Sequence, residues 1–453
     1  MFIARVMGTV IVFSLVFFAT LVYGDEAAQT WQKIDVPART YTTTDGNGVT
    51  REIAPSCSGG PVCKPDPVSG QPVCRAGNKQ FSFYFKPGKP KKLLVYFDGG
   101  GACWNSNTCI TGAQTRLPAA VPEIGLNINP ATMAGLFDVA NKDNPYRDWS
   151  MAFIPYCTGD VHWGSKDVKY TDYTGAVTGT PGGQVTYHHR GFDNFLYVRA
   201  WLQQRFKRHR ENGDDEGIKK LLVTGSSAGA YGAALDFPHL RQAFPEAKAY
   251  MLADAGNGVI TDSFLQQAVQ GLDRWGVSQN IAHWIPGMDA LPYTSADRFF
   301  PMYYSALTAY YPHDRFSQYT THWDIVQTLV LNIMLNQNNI PAWTRITPSV
   351  YGAWAQGMEN NVYSNAVNPN FRFYVAEGCN HTILRFSDDF YKTNSSQSPT
   401  FLSWFKALTK DGGGDDGEDV NAPNAWQNTF CANCSLPPLA SDVSACLARS
   451  FSR

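Results

Sequence analysis

Residues 223–232 read V-T-G-S-S-A-G-A-Y-G. They continue the apolar run K-K-L-L of 219–222 and lead into a stretch of small residues, Ala228 to Phe237, that reads as a helix. A serine between two glycines, Gly225 and Gly229, after a buried strand and before a helix, fits a G-x-S-x-G elbow. The reason is steric. The chain must turn so sharply that Ser227 takes strained backbone angles, and its neighbours must be small. The serine oxygen then stands clear at the top of a sheet, at a helix start. Free backbone N–H groups and the helix dipole favour developing negative charge there. A tight packing turn would also use small residues, so the rest of the chain has to decide.

Outward from the elbow, strand-like runs alternate with helical ones. Strands are expected at 81–85 (F-S-F-Y-F), 91–98 (K-K-L-L-V-Y-F-D), 149–157, 219–225, 247–256, 316–324 and 371–378. Residues 192–206 carry apolar side chains at helical spacing. This alternation implies βαβ units and a mostly parallel central sheet flanked by helices, and the elbow placed within it fits the α/β-hydrolase class. Residues 257–315, rich in aromatics and turns, are expected to form a cap-like insertion over the sheet edge.

A serine hydroxyl needs a base. Among nine histidines, His381 follows the strand F-R-F-Y-V-A-E-G and is the candidate; His188, His189, His239 and His322 are less suitably placed. The imidazole in turn needs a carboxylate to fix its tautomer. Asp324, in H-W-D-I-V-Q, gives the chain order Ser227, Asp324, His381, which is the α/β-hydrolase order. Asp254, after the strand that follows the elbow, is the rival. For the oxyanion, the strand L-V-Y-F-D runs into Gly99-Gly100-Gly101, where the backbone can approach a reacting centre without a Cβ in the way. The expected donors are the N–H groups of Gly100, Gly101 and Ala228. No Gly-Lys-Ser/Thr and no dinucleotide-binding glycine spacing follow, so no cofactor is called for.

Composition bounds the rest. The chain has 453 residues, 44% hydrophobic and 13% aromatic, enough for a large core. With 17% charged residues and a net charge of -1, no basic surface for nucleic acid is expected. The N-terminus, M-F-I-A-R followed by an apolar run to Tyr23 and Gly24, reads as a signal peptide over 1–24. An uncleaved anchor is the alternative. Cleavage would leave a secreted or periplasmic protein with no stable membrane insertion. Ten cysteines behind such a leader read as disulfides: Cys57, Cys63, Cys74, Cys103, Cys109, Cys157, Cys379, Cys431, Cys434 and Cys446. Cys103 and Cys109 are expected to pair locally. Cys431-x-x-Cys434 lacks the companion motif of a zinc site, so no metal is expected. The expected organisation is a Cys/Pro/Gly-rich segment over 25–80 and a catalytic domain over 81–453. Within the latter, 410–419 is a mobile acidic loop without calcium-loop spacing, and 431–446 a Cys-rich tail.

Several stretches together resemble the pectin acetylesterase/Notum family: L-V-Y-F-D-G-G-G-A-C-W-N (94–105), I-P-Y-C-T-G-D-V-H-W-G (154–164), H-H-R-G (188–191), T-G-S-S-A-G-A-Y-G (224–232), L-A-D-A-G (252–256), D-I-V-Q (324–327) and G-C-N-H (378–381). The resemblance implies a secreted, disulfide-bearing, metal-independent α/β-hydrolase that removes O-acyl groups, acetyl from pectin or a palmitoleoyl group from a Wnt protein. It implies Ser227 as nucleophile, Asp324 as acid and His381 as base, and so strengthens Asp324 over Asp254. Ala230, where the family has a second glycine, and Gly101-Ala102, where Notum is bulkier, depart from the pattern and leave the substrate open.

The expected function is therefore a serine carboxylesterase acting on an acylated polysaccharide such as pectin. Trp104, Trp163, Tyr187, Phe192 and Tyr231 are candidate pocket aromatics. The alternatives are an esterase for longer acyl chains, a non-catalytic binding protein on the same fold, and a thiol-based enzyme using Cys379 or the C-x-x-C pair.

Overall fold

A computed structural model describes residues 30–57, 62–65, 72–75, 80–111, 129–211, 217–392, 399–410, 425–432, 434 and 444–448. The expected leader over 1–24 and the acidic loop from 411 to 419 lie outside these residues.

The apolar runs become strands buried on both faces. Counting along the chain, β1 is Gln32–Asp35, β2 Tyr41–Thr44, β3 Thr50–Ile53, β4 Val62–Pro65, β5 Pro72–Arg75, β6 Ser82–Lys86, β7 Lys89–Phe97 and β8 Trp149–Ile154. They are followed by β9 Lys166–Asp172, β10 Gly183–His189, β11 Lys220–Ser226, β12 Lys248–Asp254, β13 Arg315–Thr321, β14 Phe371–Ala376 and β15 Thr429–Phe430. Nine of them form one sheet in the order β1-β6-β8-β7-β11-β12-β13-β14-β15. From β8 to β15 every pairing is parallel; β1 and β6 add an antiparallel edge.

Strand alternation divides the core in two. Leu93, Val95 and Phe97 of β7, with Leu221 and Val223 of β11, face one hydrophobic cluster. Leu94, Tyr96 and Leu222 face the other. Helices cover both faces, which is why these strands read as continuous apolar runs. The first face carries α1 (Gly191–Glu211), α2 (Ala228–Ala243), α3 (Asp262–Ala268), α4 (Ala296–Tyr310), α5 (Ile325–Leu335) and α6 (Pro348–Ala366). The second carries α7 (Ser387–Lys392) and α8 (Phe401–Leu408). This is the expected α/β-hydrolase architecture, with 257–315 contributing α3 and α4 as the cap-like insertion.

Several boundaries differ from the sequence expectation. The helix after the elbow runs past Phe237 and through Pro238 to Ala243. Strand β13 stops at Thr321, so Asp324 does not end a strand; it caps α5. Strand β14 is not the last, because the two-residue β15 pairs beside it. Part of the 25–80 segment is integral to the sheet as its edge strand β1. Missed entirely was the β9–β10 hairpin, whose polar outer positions hide its strand period.

Four disulfides occur among the described residues: Cys57–Cys157, Cys103–Cys109, Cys379–Cys446 and Cys431–Cys434. Cys63 and Cys74 stand opposite each other in the β4–β5 register. Among the described residues, no helix is long and apolar enough to cross a membrane.

Candidate active site

Ser227 sits between β11 and α2 with φ 60° and ψ −123°, a backbone that L-residues rarely adopt. Its surroundings explain why its neighbours are small. A Cβ on Gly225 would run into the carbonyl of Gly229, and one on Gly229 into the carbonyl of Phe97. A Cβ on Gly99 would press on Ser227 itself. The turn is held by Ser227 N–H donating to the Asp254 carbonyl at 2.8 Å, and by Ala230 N–H donating to the Ser227 carbonyl at 2.9 Å. Such strain costs about 1–3 kcal/mol and persists only where packing over-determines it.

The sheet brings His381 and Asp324 together. His381 Nδ1 lies 3.0 Å from Asp324 Oδ1 and 2.9 Å from Oδ2. Asp324 is fully buried and is the N-cap of α5, accepting from Val326 N–H at 3.0 Å and Gln327 N–H at 2.9 Å. Gln327 Nε2 donates to its other oxygen at 3.0 Å. These donors fix the orientation of the buried carboxylate.

Asp254 is engaged elsewhere. It accepts from Ser226 Oγ at 2.6 Å and from the N–H groups of Ile383 and Leu384, each at 3.1 Å. Burial raises its pKa to about 6, against these hydrogen bonds, which lower it. It ties the loop after His381 to the strand end before Ser227. It is not the carboxylate that meets the imidazole.

The glycine stretch approaches from β7. Gly101 has φ 79°, a left-handed backbone that glycine takes without cost. The preceding carbonyl, that of Asp98, accepts from His162 Nε2 at 2.8 Å. Burial pushes the His162 pKa down to about 4, so the ring is neutral at neutral pH, with its proton on Nε2. The Asp98 carboxylate pairs with Arg385 at 2.6 Å. Ala228, at the start of α2, has an orphan helix N-terminal amide. Gly101 and Ala228 line the same cavity as Ser227 and His381; Gly100 is adjacent but does not line it.

That cavity holds about 750 Å³ of empty space, its open mouth included. Its walls are almost wholly apolar and come largely from the insertion: Phe264, Leu265 and Val269 of α3 and its C-terminal flank, Trp275, and Phe299 and Phe300 of α4. Trp163 and Tyr231 line it too. Of the other candidate aromatics, Trp104 packs on Phe264, Tyr187 lies in a separate cluster, and Phe192 lines a second cavity.

The remaining candidates are spoken for. His189 bonds the Thr158 carbonyl and Tyr170, His239 the Gly46 amide and the Asn280 carbonyl, His188 bonds Asp167, and His322 bonds Glu359. Cys103, Cys109 and His189 cluster closely enough to suggest a metal, but the two sulfurs form a disulfide and offer no thiolate. Cys379, Cys431 and Cys434 are likewise disulfide-bonded, which leaves the thiol-based reading without a nucleophile among the described residues.

Comparison with known proteins bears on this arrangement. The pectinacetylesterase family model matches residues 65–303, just over half of the chain. The match includes the glycine stretch and the elbow and ends before Asp324 and His381. Palmitoleoyl-protein carboxylesterase NOTUM of Homo sapiens is 24% identical over 193 residues, 41% of this chain and 34% of that protein. The Schmidtea mediterranea protein of the same description is 24% identical over 153 residues, 34% of this chain and 25% of that one. The chain thus spans about a quarter to a third of the length of these curated relatives. A solved structure of the Wnt deacylase Notum from Drosophila aligns with a TM-score of 0.45 at 17% identity, over 73% of this chain and 88% of that one.

Proposed function

This chain belongs to the pectinacetylesterase family, and from that premise we propose that it is a serine carboxylesterase whose substrate carries an apolar acyl chain longer than acetyl. The observation that carries the reading is the meeting of three things at one cavity: a serine in a strained elbow, an imidazole oriented by a buried carboxylate, and walls that are almost wholly apolar.

Ser227 Oγ attacks the ester carbonyl while His381 Nε2 takes its proton. Asp324, on Nδ1, fixes the tautomer and stabilises the imidazolium. The oxyanion is met by the amides of Ala228 and Gly101, with Gly100 alongside. His381 returns the proton to the leaving alcohol. It then activates the water that hydrolyses the acyl-enzyme.

The cavity favours the longer-chain alternative over the acetyl reading. Acetyl would offer a single methyl group to walls built from this many apolar and aromatic side chains, whereas a longer chain would cover them. The same lining desolvates an acyl chain at about 25 cal/mol per Å² of apolar surface. The alcohol part, polysaccharide or protein, remains at the mouth. The disulfides support an oxidising compartment, consistent with secretion after loss of the 1–24 leader.

A series of p-nitrophenyl esters from acetate to hexadecanoate, alongside acetylated pectin, tests the substrate claim. kcat/KM is expected to rise with chain length beyond acetate and to vanish in Ser227→Ala. A maximum at acetate, or acetate release from pectin exceeding all the aryl esters, would return the reading to a deacetylase.

A further inference from the structure

Three segments that line the cavity at Ser227 carry polar residues next in sequence to the lining ones. On α3, Ser263 precedes Phe264, and Gln267 lies between Leu265 and Val269. After the glycine stretch, Trp104 and Asn105 follow Ala102. Beyond α5, Gln337 follows Met334 by one helical turn of sequence. The Gln337 side chain joins all of them. Its Oε1 accepts from Trp104 Nε1 at 3.2 Å, from Asn105 Nδ2 at 3.2 Å and from Gln267 Nε2 at 2.8 Å. Its Nε2 donates to Ser263 Oγ.

The orientation of this amide is forced. An indole N–H can only donate, so the atom facing Trp104 is the oxygen, and the nitrogen is left for Ser263. The backbone of Gln337 is held too, because its carbonyl accepts from Asn107 Nδ2 at 3.2 Å. Trp104, Asn105 and Asn107 all belong to the loop closed by the Cys103–Cys109 disulfide. Trp104 is fully buried, its ring edge-on to Phe264 with 5.0 Å between centroids. This side of the contact is therefore well anchored. Helix α3 is not. Its other side-chain hydrogen bonds stay within the insertion: Asp262 accepts from the Ala296 amide at 2.7 Å, and Gln266 donates to Gln270 at 2.6 Å. Among the described residues, the hydrogen bonds that reach α3 from outside the insertion come from Gln337 and Asn105.

We infer that Gln337 is a specificity-determining residue for the acyl chain, a clamp that sets the position of the α3 wall. The inference rests on the esterase reading above and deepens it from an apolar cavity to the residue that fixes one of its walls. Phe264 and Leu265 grip a chain only as closely as α3 is drawn toward α5, whose Val326, Val330 and Met334 line the same cavity. Dispersion attraction is short-ranged: a gap of about 0.5–1 Å forfeits about a quarter to a half of it. A wall that drifts outward therefore loses its hold on a long chain. An acetyl group, placed at Ser227 by the oxyanion donors, has little contact to lose. The chemistry of the clamp also names its best substitute. A carboxylate at 337 accepts from Trp104, Asn105 and Gln267, and the Ser263 hydroxyl can turn to donate to it. A leucine keeps the bulk and makes none of these bonds.

The test makes two measurements on wild type, Gln337→Leu and Gln337→Glu. One is the ratio of kcat/KM on p-nitrophenyl octanoate to that on p-nitrophenyl acetate. The other is amide hydrogen exchange across 262–268, with β11 as the reference for an intact fold. Gln337→Leu should lower the ratio about tenfold, the scale on which a hydrophobic pocket feels one methylene. It should also speed exchange in α3 by about tenfold while β11 stays as in wild type. Gln337→Glu should keep both at wild-type values. Wild-type exchange of α3 in Gln337→Leu would overturn the clamp, and faster exchange in β11 as well would reduce Gln337 to a general stabiliser. Faster α3 exchange with an unchanged ratio, or a ratio lost equally in Gln337→Glu, would overturn the role in specificity. All of these results leave the esterase reading standing. Absence of hydrolysis of both esters by folded wild type would overturn that reading and the specificity role with it.

Discussion

His381 Nδ1 stands astride the carboxylate of Asp324, 3.0 Å from one oxygen and 2.9 Å from the other, while Asp324 also caps the helix that follows it. One side chain thus orients the imidazole and is itself held by a helix N-terminus. Asp324→Asn keeps an oxygen for the capping amides but can present an N–H to Nδ1, which selects the wrong tautomer. kcat on a short ester is expected to fall by roughly ten-thousandfold with the thermal midpoint little changed. A loss of less than tenfold would show that Asp324 is not the orienting acid.

Ser227 stores backbone strain that serves placement rather than stability. At φ 60° a glycine is at ease, and the Ser227 side chain caps nothing. Ser227→Gly should therefore be inactive yet more stable, by about 1 kcal/mol or more after allowing for glycine's greater chain entropy when unfolded. Ser227→Ala should be inactive without the gain. Equal melting temperatures for the two variants would contradict the strain.

Much of this site could be read from the chain because its chemistry forces unusual residues. Ser227 stands out since the turn excludes large neighbours, and Gly99 to Gly101 since the backbone must come close. The strand runs were legible because burial on both faces leaves no polar interruption. Between the two candidate carboxylates the sequence favoured Asp324 by chain order and by the family resemblance, but could not show what engages Asp254. Asp254 ends a strand and Asp324 lies just beyond one, and only the packing of the 382–384 loop assigns the first to backbone amides. The cavity walls were equally hidden, because Phe299, Phe300 and Trp275 come from an insertion without the periodicity of the sheet. His162 lies in the family-like stretch 154–164, but nothing in the sequence pointed to its role. Its role is to hold a carbonyl 64 residues away.

That contact carries its own prediction. The His162 ring packs edge-on against Phe97, 5.2 Å between centroids, so His162→Phe keeps the volume and removes the donor to the Asp98 carbonyl. The unsatisfied carbonyl should cost about 1–3 kcal/mol in stability. The loosened glycine stretch should lower kcat about tenfold or more. Unchanged melting and unchanged kcat together would remove His162 from the account of the oxyanion loop.

Asp254 makes stability depend on pH with a definite sign. Burial raises its pKa from 3.8 to about 6, so between these values the folded state holds a proton that the unfolded state has lost. Stability from this group is therefore full below about pH 4 and declines as pH rises to about 6, by about 3 kcal/mol in all. Asp254→Asn cannot titrate. The stability of wild type relative to this variant should fall across that interval, measured by chemical denaturation at pH 4, 5, 6 and 7. A relative stability that rises with pH would reverse the assignment.

The most direct measurement is covalent. Folded protein is treated with a fluorophosphonate, digested, and the adduct located by mass spectrometry. A single adduct on Ser227, formed by wild type, absent from Ser227→Ala and strongly slowed in His381→Ala and Asp324→Asn, is the predicted result. An adduct on another residue, or no adduct on well-folded wild type, would contradict the nucleophile on which the rest depends.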